Sequence, residues 1–241
     1  MAVLLRETLA TQVAARIAAQ IIEEGLGPGD TLLPELQQAA QFNVSRATIR
    51  EALRVLQAKG VIDVVNGQGA IVRPITSVPL SGYFRWAAQL RQGVDDELME
   101  IRRGIEVQCA LLAAQRRTES DTASMREIIG EMRAHLDDPE TYRELNYQLH
   151  LAIAVATHNT MIHHLLVSLR EPFKETTRHR SRYKDADTAE IQQSHEQIVA
   201  AIERGDAETA AREMAQHIDR GTARRLAYSR TGADGGEGSA R

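Results

Sequence analysis

Residues 43–56 read Asn-Val-Ser-Arg-Ala-Thr-Ile-Arg-Glu-Ala-Leu-Arg-Val-Leu, and no other stretch constrains this chain as much. The spacing predicts a short turn followed by a helix with two unlike faces. Ile49, Ala52, Leu53 and Leu56 share one side of a helical wheel. Arg46, Arg50 and Arg54 follow at i, i+4 and i+8 along an adjacent stripe. One side can dock on a small core. The other offers guanidinium forks, which suit phosphates and the O6/N7 edge of guanine. Ser45 stands where an N-cap is expected. Taken alone, the same segment also describes an ordinary amphipathic surface helix with solvated arginines.

The flanking sequence narrows that choice. Leu9 to Ile22 has helical period, with Val13, Ile17 and Ile21 in line. Gly25-Leu-Gly-Pro-Gly-Asp-Thr31 stops it and forces a loop. Glu35 to Phe42 reads as a second short helix, and Lys59-Gly60 ends the arginine helix. Val61–Val65 and Ala70–Val72 are β-branched runs around Asn66-Gly-Gln-Gly69, a hairpin pattern. Three helices and a hairpin in roughly 75 residues is the order of a winged helix-turn-helix.

Here the chain resembles the GntR-type bacterial transcription regulators. The matching words are Gly27-Pro-Gly-Asp30, Val44-Ser-Arg-Ala-Thr-Ile-Arg-Glu-Ala-Leu53, Leu56, Lys59-Gly-Val-Ile62 and Gly67-Gln-Gly69. The resemblance implies double-stranded operator DNA as partner, with Ser45, Arg46, Thr48, Arg50 and Arg54 and the wing glycines Gly67 and Gly69 at the DNA. Leu36 stands where the family usually carries a basic residue, and Asn43 where it usually has glycine. Asparagine also tolerates left-handed turns.

A net charge of −4 does not by itself announce nucleic-acid binding. Its distribution does more: Arg46, Arg50, Arg54, Lys59 and Arg73 face only Glu51 and Asp63 in the stretch 46–73. The single cysteine, Cys109, excludes an intramolecular disulfide and reads as a buried structural thiol. There is no signal-peptide pattern and no apolar run long enough to span a bilayer, so a cytoplasmic protein without membrane contact is expected.

Pro74-Ile-Thr-Ser-Val-Pro79 reads as a linker. Beyond it every segment has helical period: 80–92, 95–116, 119–136, 139–157, 159–181, 188–204 and 206–228. Leu98, Ile101, Ile105, Cys109 and Leu112 are expected on the inner face of the second of these. Asp121, Pro139 and Asp206 are start signals and Gly205 a stop signal. The predicted fold is thus mostly α: a winged helix-turn-helix in 1–73, a linker in 74–79, and an all-α bundle of six or seven helices in 80–230. The Gly-rich 231–241 is expected to be a loose tail.

The bundle carries a second constellation. Asn146 and His150 are spaced i, i+4 on a largely apolar helix. His195 lies between Ile191 and Ile198, and His217 between Met214 and Ile218. An inward imidazole must be satisfied by a hydrogen bond, a charge or a metal. A single such residue is more often core, but three beside an amide point to a shared site. His135, His158, His163, His164 and His179 follow no such pattern and read as surface or packing residues. Arg102 falls on the inward stripe of its helix, with Glu106 one turn on. The pair can be a structural ion pair or a clamp for an effector carboxylate.

Arg102-Arg-Gly-Ile-Glu106, Asn146-x3-His150, Ser194-His-Glu196 and Met214-x2-His217 resemble the helical FCD effector domain of the FadR-type branch. That resemblance implies a divalent metal, with zinc, nickel and manganese all open, on Asn146, His150, His195 and His217. It also implies a small organic-acid effector at Arg102, Glu106 and Asn146, and a homodimer. Asn146 replaces the more common Asp and brings no negative charge, which weakens metal binding and favours an anionic ligand. Two other classes compete with a ligand-responsive regulator. A metal-dependent hydrolase or isomerase leaves the arginine helix unexplained and lacks a well-placed general base beyond Glu106 or Glu196. An architectural DNA-binding protein requires the inward histidines to be mere packing.

Overall fold

The structure, a computed structural model, describes residues 7–74, 76–90, 94–170 and 185–233. The chain divides into two compact units, 1–79 and 80–241.

In the first unit, α1 spans Leu9–Glu23, α2 Glu35–Phe42 and α3 Arg46–Ala58. Strands β1 (Ile62–Val65) and β2 (Gly69–Val72) pair antiparallel, with Ile62 opposite Val72 and Val65 opposite Gly69. Local chemistry sets these boundaries. Thr8 caps α1, its side chain accepting from the Thr11 N–H. Asn43 ends α2 in the left-handed region, at φ 52° and ψ 48°, so it does the work usually given to glycine. Ser45 caps α3 by accepting from the Thr48 N–H at 3.1 Å. In the loop between α1 and α2, Asp30 Oδ2 accepts from the Gly27 N–H at 2.7 Å. Leu32 N–H then donates to Ala70 O at 2.8 Å, which anchors the loop to the hairpin. The core joins Val13 and Ile17 of α1 to Ile49, Leu53 and Leu56 of α3, with Ile62 at the base of the wing. Ile49, Leu56 and Ile62 are fully buried. Each such side chain contributes about 1.5–3 kcal/mol.

The second unit is all helix among the described residues: α4 Val78–Leu90, α5 Val94–Arg116, α6 Glu119–Ala134, α7 Pro139–Val155, α8 Thr160–Ser168, α9 Asp185–Arg204 and α10 Ala207–Ala233. Helix α5 is central and packs on α7, α8, α9 and α10. The core it shares with them and with α6 includes Cys109, Ala113, Met125, Leu149, Ile198 and Met214. At the α9–α10 corner Gly205 adopts φ +74°, and a Cβ there would stand 2.8 Å from the Arg117 guanidinium. That guanidinium donates to the carbonyls of Ala114 and Glu203, tying the ends of α5 and α9 together.

Several sequence expectations shift. Helix α4 begins at Val78, inside the stretch expected as linker, because proline is accepted in a first turn where its missing N–H has no partner to lose. Asp121 does not start α6. Thr118 is the cap, and Asp121 closes a capping box from the third position. The helix expected over 159–181 ends at Ser168, with Leu169 as its cap, and residues 171–184, including His179, lie outside the described residues. Helix α10 continues to Ala233, so 231–233 are not tail, and 234–241 lie outside the described residues. Ile101 is 40% exposed rather than inward. The buried stripe of α5 runs through Leu98, Glu106, Cys109 and Ala113 instead. Leu98, Arg102 and Glu106 are each one turn apart on that stripe, so the polar pair lies on the inner face where the spacing predicts it.

Candidate functional site

Helix α3 presents its arginines outward. Arg46 is exposed and stands 3.7 Å from Glu35 of α2. Arg54 stands 3.1 Å from Glu51, and Arg50 is exposed. Ion pairs this exposed are worth about 0–1 kcal/mol, so a phosphate can displace the carboxylates at little cost. Thr48 is half-buried, and its hydroxyl lies 2.9 Å from that of Ser45. The wing turn places exposed Gly67 and Gly69 at φ 81° and 88°, the left-handed region that favours glycine. Leu36, at the first turn of α2, is 65% exposed.

The inward residues of the second unit converge. His150 of α7, His195 of α9 and His217 of α10 each offer a ring nitrogen, and those atoms all lie within 4.8 Å of one another. The His195 and His217 ring centroids are 4.3 Å apart, and His150 lies 5.5 and 5.3 Å from them. Both ring nitrogens of His195 are buried without a hydrogen-bond partner, and so is Nε2 of His150. Burial first, then the charges of His150 and Arg102, hold the His195 pKa well below the usual value. Burial and the neighbouring imidazoles do the same for His217. Both rings are therefore neutral near pH 7, the state that offers a lone pair to a ligand.

Buried polar partners surround this cluster. Glu106 Oε2 meets His150 Nδ1, and Glu106 Oε1 accepts from Arg102 Nε. Burial alone would raise the Glu106 pKa, but the charges of Arg102 and His150 outweigh it and hold the carboxylate ionised. Ser194 Oγ lies 3.2 Å from His217 Nδ1. Asn146 is half-buried one turn before His150 on α7. Arg103 faces the other way and binds Asp219 of α10 through two hydrogen bonds, of 2.7 and 3.1 Å. Burial, then the charge of Glu106, pushes the Cys109 thiol up to about 12, so it is an inert core residue. The donor set fits a divalent transition metal by chemistry and burial: three imidazoles converge, two of them backed by an oxygen on the other ring nitrogen.

Of the remaining histidines, His158 is exposed and meets Asp121 at 3.1 Å, and His135 Nδ1 lies 2.8 Å from its own helix carbonyl at Glu131. His163 and His164 lie half-buried on α8. Sequence reasoning did not assign a role to Ser194. Its contact crosses from α9 to α10, and no spacing within one helix encodes it.

Residues 9–72 match the bacterial regulatory proteins of the gntR family, and residues 97–220 match the FCD domain. The chain belongs to the GntR family of bacterial regulators. It is similar to the Uxu operon transcriptional regulator of Escherichia coli K12, 30% identical over 236 residues that cover 90% of this chain and 87% of that protein. The Galactonate operon transcriptional repressor of the same organism is 27% identical over 205 residues, covering 83% and 89%. A solved Streptococcus agalactiae GntR shares the fold, with TM-score 0.69 at 24% identity over 90% of this chain and 99% of that one. This GntR protein is therefore a DNA-binding transcriptional regulator with an FCD effector domain, and not an enzyme. Among the described residues no helix is long and apolar enough to cross a membrane.

The neutral imidazoles set a pH dependence. The unfolded chain takes up protons near 6.5 that the folded site refuses, because the folded pKa values of His195 and His217 are depressed. Their contribution to stability is complete above about pH 6.5 and is lost progressively below it. Melting temperatures of chelator-treated protein should therefore fall between about pH 7 and pH 5.5. Replacing both rings, as in the pair His195→Gln and His217→Gln, should flatten that slope; an unchanged slope would assign it to other groups.

Proposed function

We propose that this GntR regulator is a cytoplasmic homodimer that binds a palindromic operator and releases or tightens on it when a small carboxylate enters the FCD pocket. The observation that carries this reading is the cluster of His150, His195 and His217, with both ring nitrogens of His195 buried and without a hydrogen-bond partner, beside the half-buried Arg102. On the DNA side, Arg46, Arg50 and Arg54 supply phosphate and guanine contacts. Ser45 and Thr48 shape the end of α3, and Gly67 and Gly69 let the wing approach the backbone. Two-fold protein symmetry would be mirrored in the operator. Tyr83, Trp86 and Leu90 support a partner copy: all are more than 60% exposed, on one side of α4.

In the pocket, His150, His195 and His217, with Asn146 as a weaker fourth, are the residues to hold a divalent ion of the zinc, nickel or manganese kind. A bound ion supplies positive charge for carboxylate oxygens. Arg102 supplies a second, directional donor, with Glu106 and Asn146 as further polar groups for the acid. The relative that represses a galactonate operon is named for a sugar acid, and a carboxylate suits a site of imidazoles and a guanidinium.

Calorimetry tests the reading. A panel of small organic acids, screened by thermal shift with and without divalent metal, should yield one that binds. That acid, titrated with and without operator DNA, should show affinities differing about 5–150-fold. Operator affinity must change by the same factor when the acid is present. Equal affinities for an acid shown to bind would disconnect the pocket from DNA. Full affinity in Arg102→Ala would remove the clamp while leaving the coupling intact.

A further inference from the structure

Glu106 is 2% exposed and lies between two donors from different helices. Its Oε1 serves Arg102, one turn back on α5, and its Oε2 serves His150 Nδ1 on α7. We propose that Glu106 is a positioning residue that fixes His150 as the Nδ1–H tautomer, and that only a carboxylate can do so while also holding Arg102. The inference rests on the reading of the histidine cluster as a metal centre.

The argument is one of donors and acceptors. Neutral imidazole carries one N–H and one lone pair, and the hydrogen bond made by one nitrogen decides which role the other plays. A carboxylate at Nδ1 accepts, so the proton sits there and Nε2 keeps its lone pair. Nε2 of His150 is buried without a hydrogen-bond partner, Nδ1 stands against the Glu106 carboxylate, and the ring lies beside those of His195 and His217. Ser194 meets Nδ1 of His217 in the same sense, although a hydroxyl can donate as well as accept and so enforces nothing. The carboxylate of Glu106, which can only accept, does impose a tautomer on its imidazole.

The isosteric amide cannot replace it. Gln has one acceptor oxygen and one NH2, whereas both partners of Glu106 are donors. The Arg102 guanidinium can only donate and keeps its charge, whereas an imidazole can carry its proton on either nitrogen, so the ring is the partner that yields. In Glu106→Gln the amide oxygen turns to Arg102 and the NH2 to His150. His150 must then accept at Nδ1 and carry its proton on Nε2, the nitrogen the ion needs.

The test uses the full-length protein, Zn2+ as probe and histidine labelled with 15N. Wild-type His150 should show a protonated Nδ1 and an unprotonated Nε2. Glu106→Gln, folded by circular dichroism, should show the inverted tautomer and bind Zn2+ about 10–100-fold more weakly. His217, whose partner is unchanged, serves as internal reference. Wild-type His150 protonated at Nε2 would overturn the inference without any variant. So would a folded Glu106→Gln protein with unaltered Zn2+ affinity. Absence of Zn2+ binding by the wild type would instead remove the metal centre and this inference with it, so the two failures are told apart.

Discussion

Operator binding should fall by about 2–6 kcal/mol when Arg46 and Arg50 are both replaced by alanine, since a bidentate guanine contact contributes about 1–3 kcal/mol. That is a loss of roughly thirtyfold or more. The fold should survive the change. Both side chains point to solvent, and the Arg46 pair with Glu35 is exposed. The core of the unit rests on Ile49, Ala52, Leu53 and Leu56 on the opposite side of α3. A gel-shift titration on the operator measures the effect, with the melting temperature as control. Wild-type affinity in a folded double variant would take the DNA contact away from this helix. The slope of affinity against salt should also flatten, because each lost phosphate contact releases one counterion fewer.

Metal removal is the second large effect. Protein purified without chelator or affinity tag should carry close to one equivalent of a divalent ion, and His195→Ala less than about a tenth of one. His195 is fully buried, and both its ring nitrogens lack a hydrogen-bond partner. At a free metal concentration of 100–1,000 times Kd, binding stabilises the native state by about 2.7–4.1 kcal/mol. For a domain of this size that is a rise of about 5–15 °C in melting temperature. Chelation should abolish the rise, and added Zn2+ should restore it in the wild type only. No thermal response of the wild type to Zn2+, Ni2+ or Mn2+ would leave the three histidines as a polar pocket for the effector itself.

The first unit was legible almost residue by residue because its signals are local. Ser45 caps, Asn43 turns left-handed, the Gly67 and Gly69 turn reverses the chain, and the apolar spacing of α3 buries the four residues expected. The bundle was harder to read. Helix α5 is packed on several sides, so its apolar residues do not mark one face, and Ile101 was placed inward although it is exposed. The start at Val78 and the end at Ser168 also moved, since ends fray into flanking sequence that carries no strong stop.

The amino-acid sequence by itself determined which residues are chemically special: the arginine stripe, three inward histidines, and the Arg102–Glu106 pair one helical turn apart. Those are properties of helix period and cap chemistry, which act over a few residues. The tertiary structure decided how they combine. It brought His150, His195 and His217 together from α7, α9 and α10, and set Ser194 against His217. It also set the second oxygen of Glu106 against Nδ1 of His150. Such contacts depend on how whole helices pack, and packing is settled by the summed burial of the entire core rather than by any local spacing.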